Sequence, residues 1–248
     1  MTIDPNLILI LATFLLAGMV KGVIGLGLPT ISLAILTVAL DLPGAMALLL
    51  VPSFITNLWQ AVVGGNSRLV LARTWPFLLM ATVTIWFGAQ ALRHVQLSML
   101  SALLGILLTT YAVANLSGLR FTISRSRANW AGPLLGLVNG LLTGMTGSFV
   151  VPGVMYLQAL GFTRDELLQA MGMLFTLSTL ALALQSNELL SVEQGIHSTI
   201  ALLPAIMGML LGQRIRSMIS ESLFSKVFFV SLLAMGVYII VTALGDAA

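Results

Sequence analysis

The 248-residue chain is 58% hydrophobic and only 8% charged, with 11 basic and 8 acidic residues and a mean hydropathy of +1.07. A soluble fold carries about 25% charged residues to cover its surface, so a water-soluble protein is excluded and a polytopic membrane protein is indicated. The chain has no cysteine and two histidines outside any HExxH pattern, so no cofactor or metal is expected; its basic residues stand between apolar runs as topology signals, not as a nucleic-acid surface.

The N-terminal MTIDPNLILILATF carries Asp4 where a cleaved signal would carry Lys or Arg, so it is expected to stay attached. The apolar run 6–40 would reach roughly 45–50 Å as one helix, too long for a single crossing of a core about 30 Å thick. Its middle, GMVKGVIGLGLP, places glycines and Pro29 where a helix weakens or breaks. Three spans of ordinary length follow at 44–63, 75–92 and 97–117. Residues 118–129, which include LRFTISRSRAN, read as a polar basic linker. The run 130–160 repeats the interrupted design with GLLTGMTGSFVVP and Pro152, and spans at 167–185, 196–212 and 227–245 complete the chain.

If each interrupted run crosses once, basic residues divide five against five between the two faces. If each enters and leaves on one face, nine fall on one side and only Arg93 on the other, with Lys21 inside the membrane. The positive-inside rule selects this hairpin arrangement and places both termini outside. An internal likeness supports two related halves: Gly18, Gly22 and Gly25 recur as Gly140, Gly144 and Gly147 at an offset of 122 residues. A hairpin plus three crossings is an odd count of full crossings, so the second half enters upside down. The expected fold is therefore all-α, with two inverted repeats over 1–117 and 130–248, as in secondary transporters.

Lys21 is the one charge deep in an apolar run. Intramembrane lysines cost about 2.5–3.5 kcal/mol on insertion scales and commonly face a bundle interior or an aqueous cavity. It reads either as the partner of an anion or as a structural amine that snorkels or caps freed carbonyls. Gly22, Gly25 and Gly27 would let the backbone approach a ligand, and the helix starting near Pro29 would aim unpaired N–H groups into the break. Thr143, Gly144, Thr146, Gly147 and Ser148 would offer donors at the second break, the two tips converging on one midplane site. Helix packing is the competing reading for glycines, and it is assigned to Gly132, Gly136, Gly208 and Gly212. Ser53, Thr56, Asn57 and Gln60 share one helical face, as a pathway lining or as interhelical glue, with a less polar counterpart at Thr176, Ser178 and Thr179. Glu166 completes a capping box with Thr163. Every Asp and Glu lies in an expected loop or end, so no mid-membrane carboxylate is available for proton or sodium coupling.

KGVIGLGLPTISLAIL together with GLLTGMTGSFVVPGVMYLQALG, the exits ALDLP and ALGF and the Arg-bearing linker resembles the TauE/SafE sulfite exporter family over nearly the whole chain. The resemblance implies an inner-membrane carrier of sulfite, sulfonates or other organosulfur anions, with the glycine-rich breaks as the substrate region. The expected function is export of a small anion by alternating access, with the lipid bilayer as surroundings and a homodimer compatible with the sequence. Import, or another anion such as a carboxylate, sulfate or thiosulfate, are the alternatives. A non-transporting subunit and an intramembrane enzyme are the rival classes; the enzyme reading lacks GxSG, GxGD and HExxH patterns, so no catalysis is expected.

Overall fold

The computed structural model describes residues 5–119, 121–185, 192–216, 218 and 220–245. Asp4, Arg120, Glu188 and Asp246 lie outside the described residues. Without water to satisfy backbone groups, apolar runs must close their hydrogen bonds internally. They form α1 (Pro5–Ile24), α2 (Leu28–Ala39), α3 (Leu42–Val62), α4 (Ser67–Val83), α5 (Ile85–His94), α6 (Leu97–Leu116), α7 (Arg125–Thr146), α8 (Met155–Ala159), α9 (Arg164–Gln185), α10 (Val192–Ile215) and α11 (Glu221–Gly245). Seven stretches are long and apolar enough to cross a membrane, α4 and most of α5 together forming one that is interrupted only at Thr84. This crossing begins at Ser67, eight residues before the expected 75, because Arg68 and Arg73 lower hydropathy without opposing helix formation. Likewise α7 begins at Arg125, inside the expected linker.

Each interrupted run is a hairpin of unequal arms. In the first, α1 has 20 residues, enough for about 30 Å, whereas α2 has 12 and reaches about 18 Å. The turn between them holds Gly25 at φ 81° and Gly27 at φ 117°, left-handed angles that only glycine adopts cheaply. Leu16 and Val20 line one groove with Ile31 and Ile35, so α2 runs back along α1. The second turn starts at Gly147, φ 70°, and its return arm is not one helix. Val151 is extended (φ −122°, ψ 125°) and precedes a cis peptide to Pro152, and regular helix resumes only at Met155.

Lipid gives little hydrophobic drive for one helix to meet another, so close backbone contact must hold the bundle. A Cβ on Gly18, Gly22, Gly208 or Gly212 would overlap backbone of the facing helix, which seats α1 against α10. Gly136, Gly140 and Gly144 meet backbone of α4 and α5 in the same way, and Gly88 faces Leu141 and Gly144. Gly132 instead meets the Tyr156 hydroxyl. The main contacts are α1 with α10, α7 with α4–α5, α3 with α10, α9 with α4, α3 with α9 and α6 with α11.

Two further details fix the bundle. Pro52 has no N–H to donate to Leu48, and the freed carbonyl is taken by Ser198 Oγ of α10 at 2.8 Å. The ends differ in charge: Arg68, Arg73, Arg127, Arg164, Arg214, Arg216 and Lys226 gather at one end of the helices, beside exposed Trp59, Trp75 and Trp130. Aromatic rings of this kind anchor at a membrane interface.

Gly212→Ala is expected to lower the unfolding temperature of purified protein, at a cost of about 1–3 kcal/mol from overpacking. Gly195→Ala, whose Cβ would meet nothing within 4 Å, is expected to be neutral or stabilising. Equal melting shifts for the two would contradict backbone contact at Gly212.

Candidate functional site

Lys21 sits in the last turn of α1 and is 4% exposed. Its amine does not snorkel to an interface; it turns inward to α3, donating to Thr56 Oγ1 at 3.2 Å and to Asn57 Oδ1. Asn57 Nδ2 donates in turn to Ser53 Oγ at 2.8 Å, and Ser53 Oγ lies 3.3 Å from Thr179 Oγ1 on α9. Thr179 commits its proton to the Phe175 carbonyl at 2.6 Å, so Ser53 donates to Thr179. A single directed chain thus links the amine through α3 to the other half of the molecule. Thr56 similarly gives its proton to Pro52 O at 2.7 Å and turns a lone pair to the amine.

The electrostatics of the cluster are one-sided. Lys21 is the only charged side chain among the buried described residues, and both of its acceptors are neutral. A protonated amine has three donors, of which two are used. Ser53, Thr56, Asn57 and Thr179 are all essentially buried, so little water is available to disperse the charge. Next to Thr179, Ser178 Oγ is buried without a hydrogen-bond partner, whereas Thr176 Oγ1 bonds back to Gly172 O at 2.7 Å.

The residues of the second break serve the turn itself. Thr143 Oγ1 donates to Ser148 O at 2.9 Å, and Thr146 Oγ1 accepts from Ser148 N at 3.2 Å while donating to Leu142 O at 2.7 Å. Asn139 Oδ1 takes the Gly153 N–H at 2.9 Å across the hairpin. Gly25 and Gly147 close α1 and α7 identically, their N–H groups bonding Lys21 O at 2.8 Å and Thr143 O at 2.7 Å. Lys21 and Thr143 thus hold equivalent places one turn before each break.

The structure places the other expected site residues apart. The two breaks do not converge. Gln60 Nε2 donates to Gly25 O at 3.1 Å, while a Cβ on Gly147 would touch Met46. Gln60 and Met46 are 14 residues apart on α3, about 21 Å of helix. Gly22 and Gly144 lie inside α1 and α7 against neighbouring backbone, so close packing accounts for them. Gly27 is in the turn, but a Cβ there would face Val20 and Phe228, both apolar. Pro29 is the second residue of α2, as a helix start favours, whereas Pro152 sits within an irregular return arm.

Lys21 with Ser53 and Asn57 is therefore the group that the fold brings together. Asn139 and Gln169 escaped the sequence reading. Gln169 is 1% exposed and ties the end of α3 to α9, donating to Ala61 O at 2.8 Å and accepting from Asn66 N at 3.0 Å. Their signal is a polar amide within an apolar run. The expected capping box is present in half: Glu166 Oε2 accepts from Thr163 N at 2.8 Å.

Residues 10–239 match the family model described as Sulfite exporter TauE/SafE, and the chain belongs to that family. No curated protein and no solved structure matches it. Family and helices together make it a multi-pass membrane protein of a transporter family.

Asn57→Leu is expected to destabilise the protein by about 1–3 kcal/mol or more, because the amine keeps one partner of two. Adding Lys21→Met should recover much of that loss, a coupling that thermal unfolding of the four proteins in a double-mutant cycle measures. Strictly additive effects would contradict the amine–amide bond.

Proposed function

We propose that the chain exports a small anion, sulfite or an organosulfur anion, by alternating access, with Lys21 as its charge partner. The observation that carries this reading is a buried amine with neutral partners and no buried carboxylate among the described residues. An incoming oxyanion supplies the missing negative charge and accepts the unused N–H. Asn57, Ser53 and Thr56 then offer neutral groups that reorient around it, because a hydroxyl or amide donates to a bound anion as readily as it accepts from the amine.

The contact of α1 with α10, set beside that of α7 with α4–α5, supports inverted repeats that rock about the α3–α9 contact. The breaks lean on opposite ends of α3, so in this reading each turn belongs to one mouth of the pathway, and the anion is held between them, not by both tips. The positive-inside rule makes the arginine-bearing end cytoplasmic, in the inner membrane, with both termini outside. Export then needs no ion-coupling carboxylate. Each negative charge leaving a cell that is negative inside gains about 2.3 kcal/mol per 100 mV.

Purified chain in proteoliposomes is expected to carry sulfite unaided, which a non-transporting subunit would not do. Lys21→Ala should reduce that flux at least about tenfold, the loss of one charge-assisted hydrogen bond, while the protein still folds as judged by thermal unfolding. Wild-type flux from the folded variant would overturn the site. Ranking sulfite, sulfonates, thiosulfate, sulfate and carboxylates by the thermal stabilisation they confer identifies the anion.

A further inference from the structure

At the basic end, a cavity of about 800 Å³ opens between α4 and the segments flanking α7 and α8, lined by Asn66, Arg68, Leu69, Arg73, Ile123 and Leu160 among others. A second cavity of about 260 Å³ shares Arg73, Ile123 and Leu160 with it and continues inward to Phe77 and Tyr156. Neither is lined by a carboxylate. Arg68 and Arg73 thus line common space that has no carboxylate among its lining residues.

Arg73 is held in place for this. Its Nη2 donates to Leu160 O at 2.8 Å, and its guanidinium lies over the Phe162 ring, 4.4 Å from the centroid. The carbonyl and the ring fix the plane of the group, and its other N–H donors have no described protein acceptor. Arg68 is exposed and makes no hydrogen bond or ion pair with a described residue. A planar fork that is positioned beforehand, with an exposed second arginine on the same cavity, suits an oxyanion, whose oxygens accept paired N–H bonds. The cavity is separate from the Lys21 cluster, because Gln60 and Gln169 stitch α3 to α9 between them, through Leu168 O at 2.7 Å and Ala61 O at 2.8 Å.

We propose that this cavity is a second anion site, which binds a small sulfur or phosphorus oxyanion through Arg68 and Arg73 at the mouth of the pathway. The occupant is either the free anion or the phosphate of an acidic lipid headgroup. Its role in loading the carrier rests on the transport reading, whereas its binding does not.

The test is sulfite binding by calorimetry to the full chain in phosphatidylcholine nanodiscs. Wild type is expected to show two classes of site, of which Arg68→Gln weakens one at least about tenfold, the loss of a charged hydrogen-bond donor. Lys21→Ala should spare that class and remove the other. Arg68 has no described hydrogen bond or ion pair to lose, so this variant is expected to keep its fold, and a melting curve checks it. Nanodiscs containing phosphatidylglycerol separate the sources. If the Arg68-sensitive class disappears in them, a headgroup fills the site; if it persists, the free anion does; both support the cavity as an oxyanion site. Unchanged sulfite binding in Arg68→Gln overturns the proposal and leaves Lys21 untouched. Loss in Arg68→Gln with no effect of Lys21→Ala upholds the cavity and overturns the Lys21 reading instead.

Discussion

Burying one ammonium group among apolar helices is the constraint from which the rest of this architecture follows. A buried amine forfeits its hydration, and the hydrogen bonds it donates to the neutral acceptors Thr56 and Asn57 return only part of it. The fold tolerates the deficit because α3 presents its polar face, Ser53 to Gln60, inward, and because α9 extends the chain of hydrogen bonds through Thr179. A purely structural amine would be expected to meet a carboxylate or reach an interface. Here it does neither, and the proposed role as partner of an anion rests on that.

Two geometric devices hold that amine where it is. The first is the pair of glycine-terminated helices, α1 and α7, whose left-handed residues Gly25 and Gly147 reverse the chain one turn beyond Lys21 and Thr143. The second is backbone contact through small residues, which seats α1 on α10 and α7 on α4–α5. With so few directional forces available in lipid, the stiffness of these contacts sets the position of the amine along α3. The two hairpins share this closure but differ in content. One has an amine before its break, the other a hydroxyl that is already spent on Ser148 O.

Much of this was legible from residue types alone. Spans were visible as apolar runs of the length a bilayer demands, the breaks as glycine clusters ahead of proline, and the hairpin arrangement as a bias of Arg and Lys to one face. Lys21 and the Ser53–Asn57 stripe each stood out as polar groups with no reason to be in lipid, and the fold joins them. What the sequence hid is relational. Nothing in GMVKGVIGLGLP says which end of α3 its turn will lean on, so a meeting of the two tips was a natural and mistaken expectation. Gly22 and Gly144 carry the same local signature as Gly25 and Gly147, and only the facing backbone of α10 and of α4–α5 separates packing from turning. Arg68 and Arg73 read as topology signals because their shared cavity depends on Leu160, nearly ninety residues away.

The central claim concerns a single nitrogen, and the chain offers a clean view of it, since Lys21 and Lys226 are its only lysines. With lysine labelled at the side-chain nitrogen and the protein in lipid nanodiscs, two Nζ resonances are expected, the exposed Lys226 serving as an internal reference. On titration with sulfite a saturable shift of the Lys21 resonance is expected while that of Lys226 stays in place. A Lys21 resonance that remains fixed at sulfite concentrations that saturate transport would contradict it.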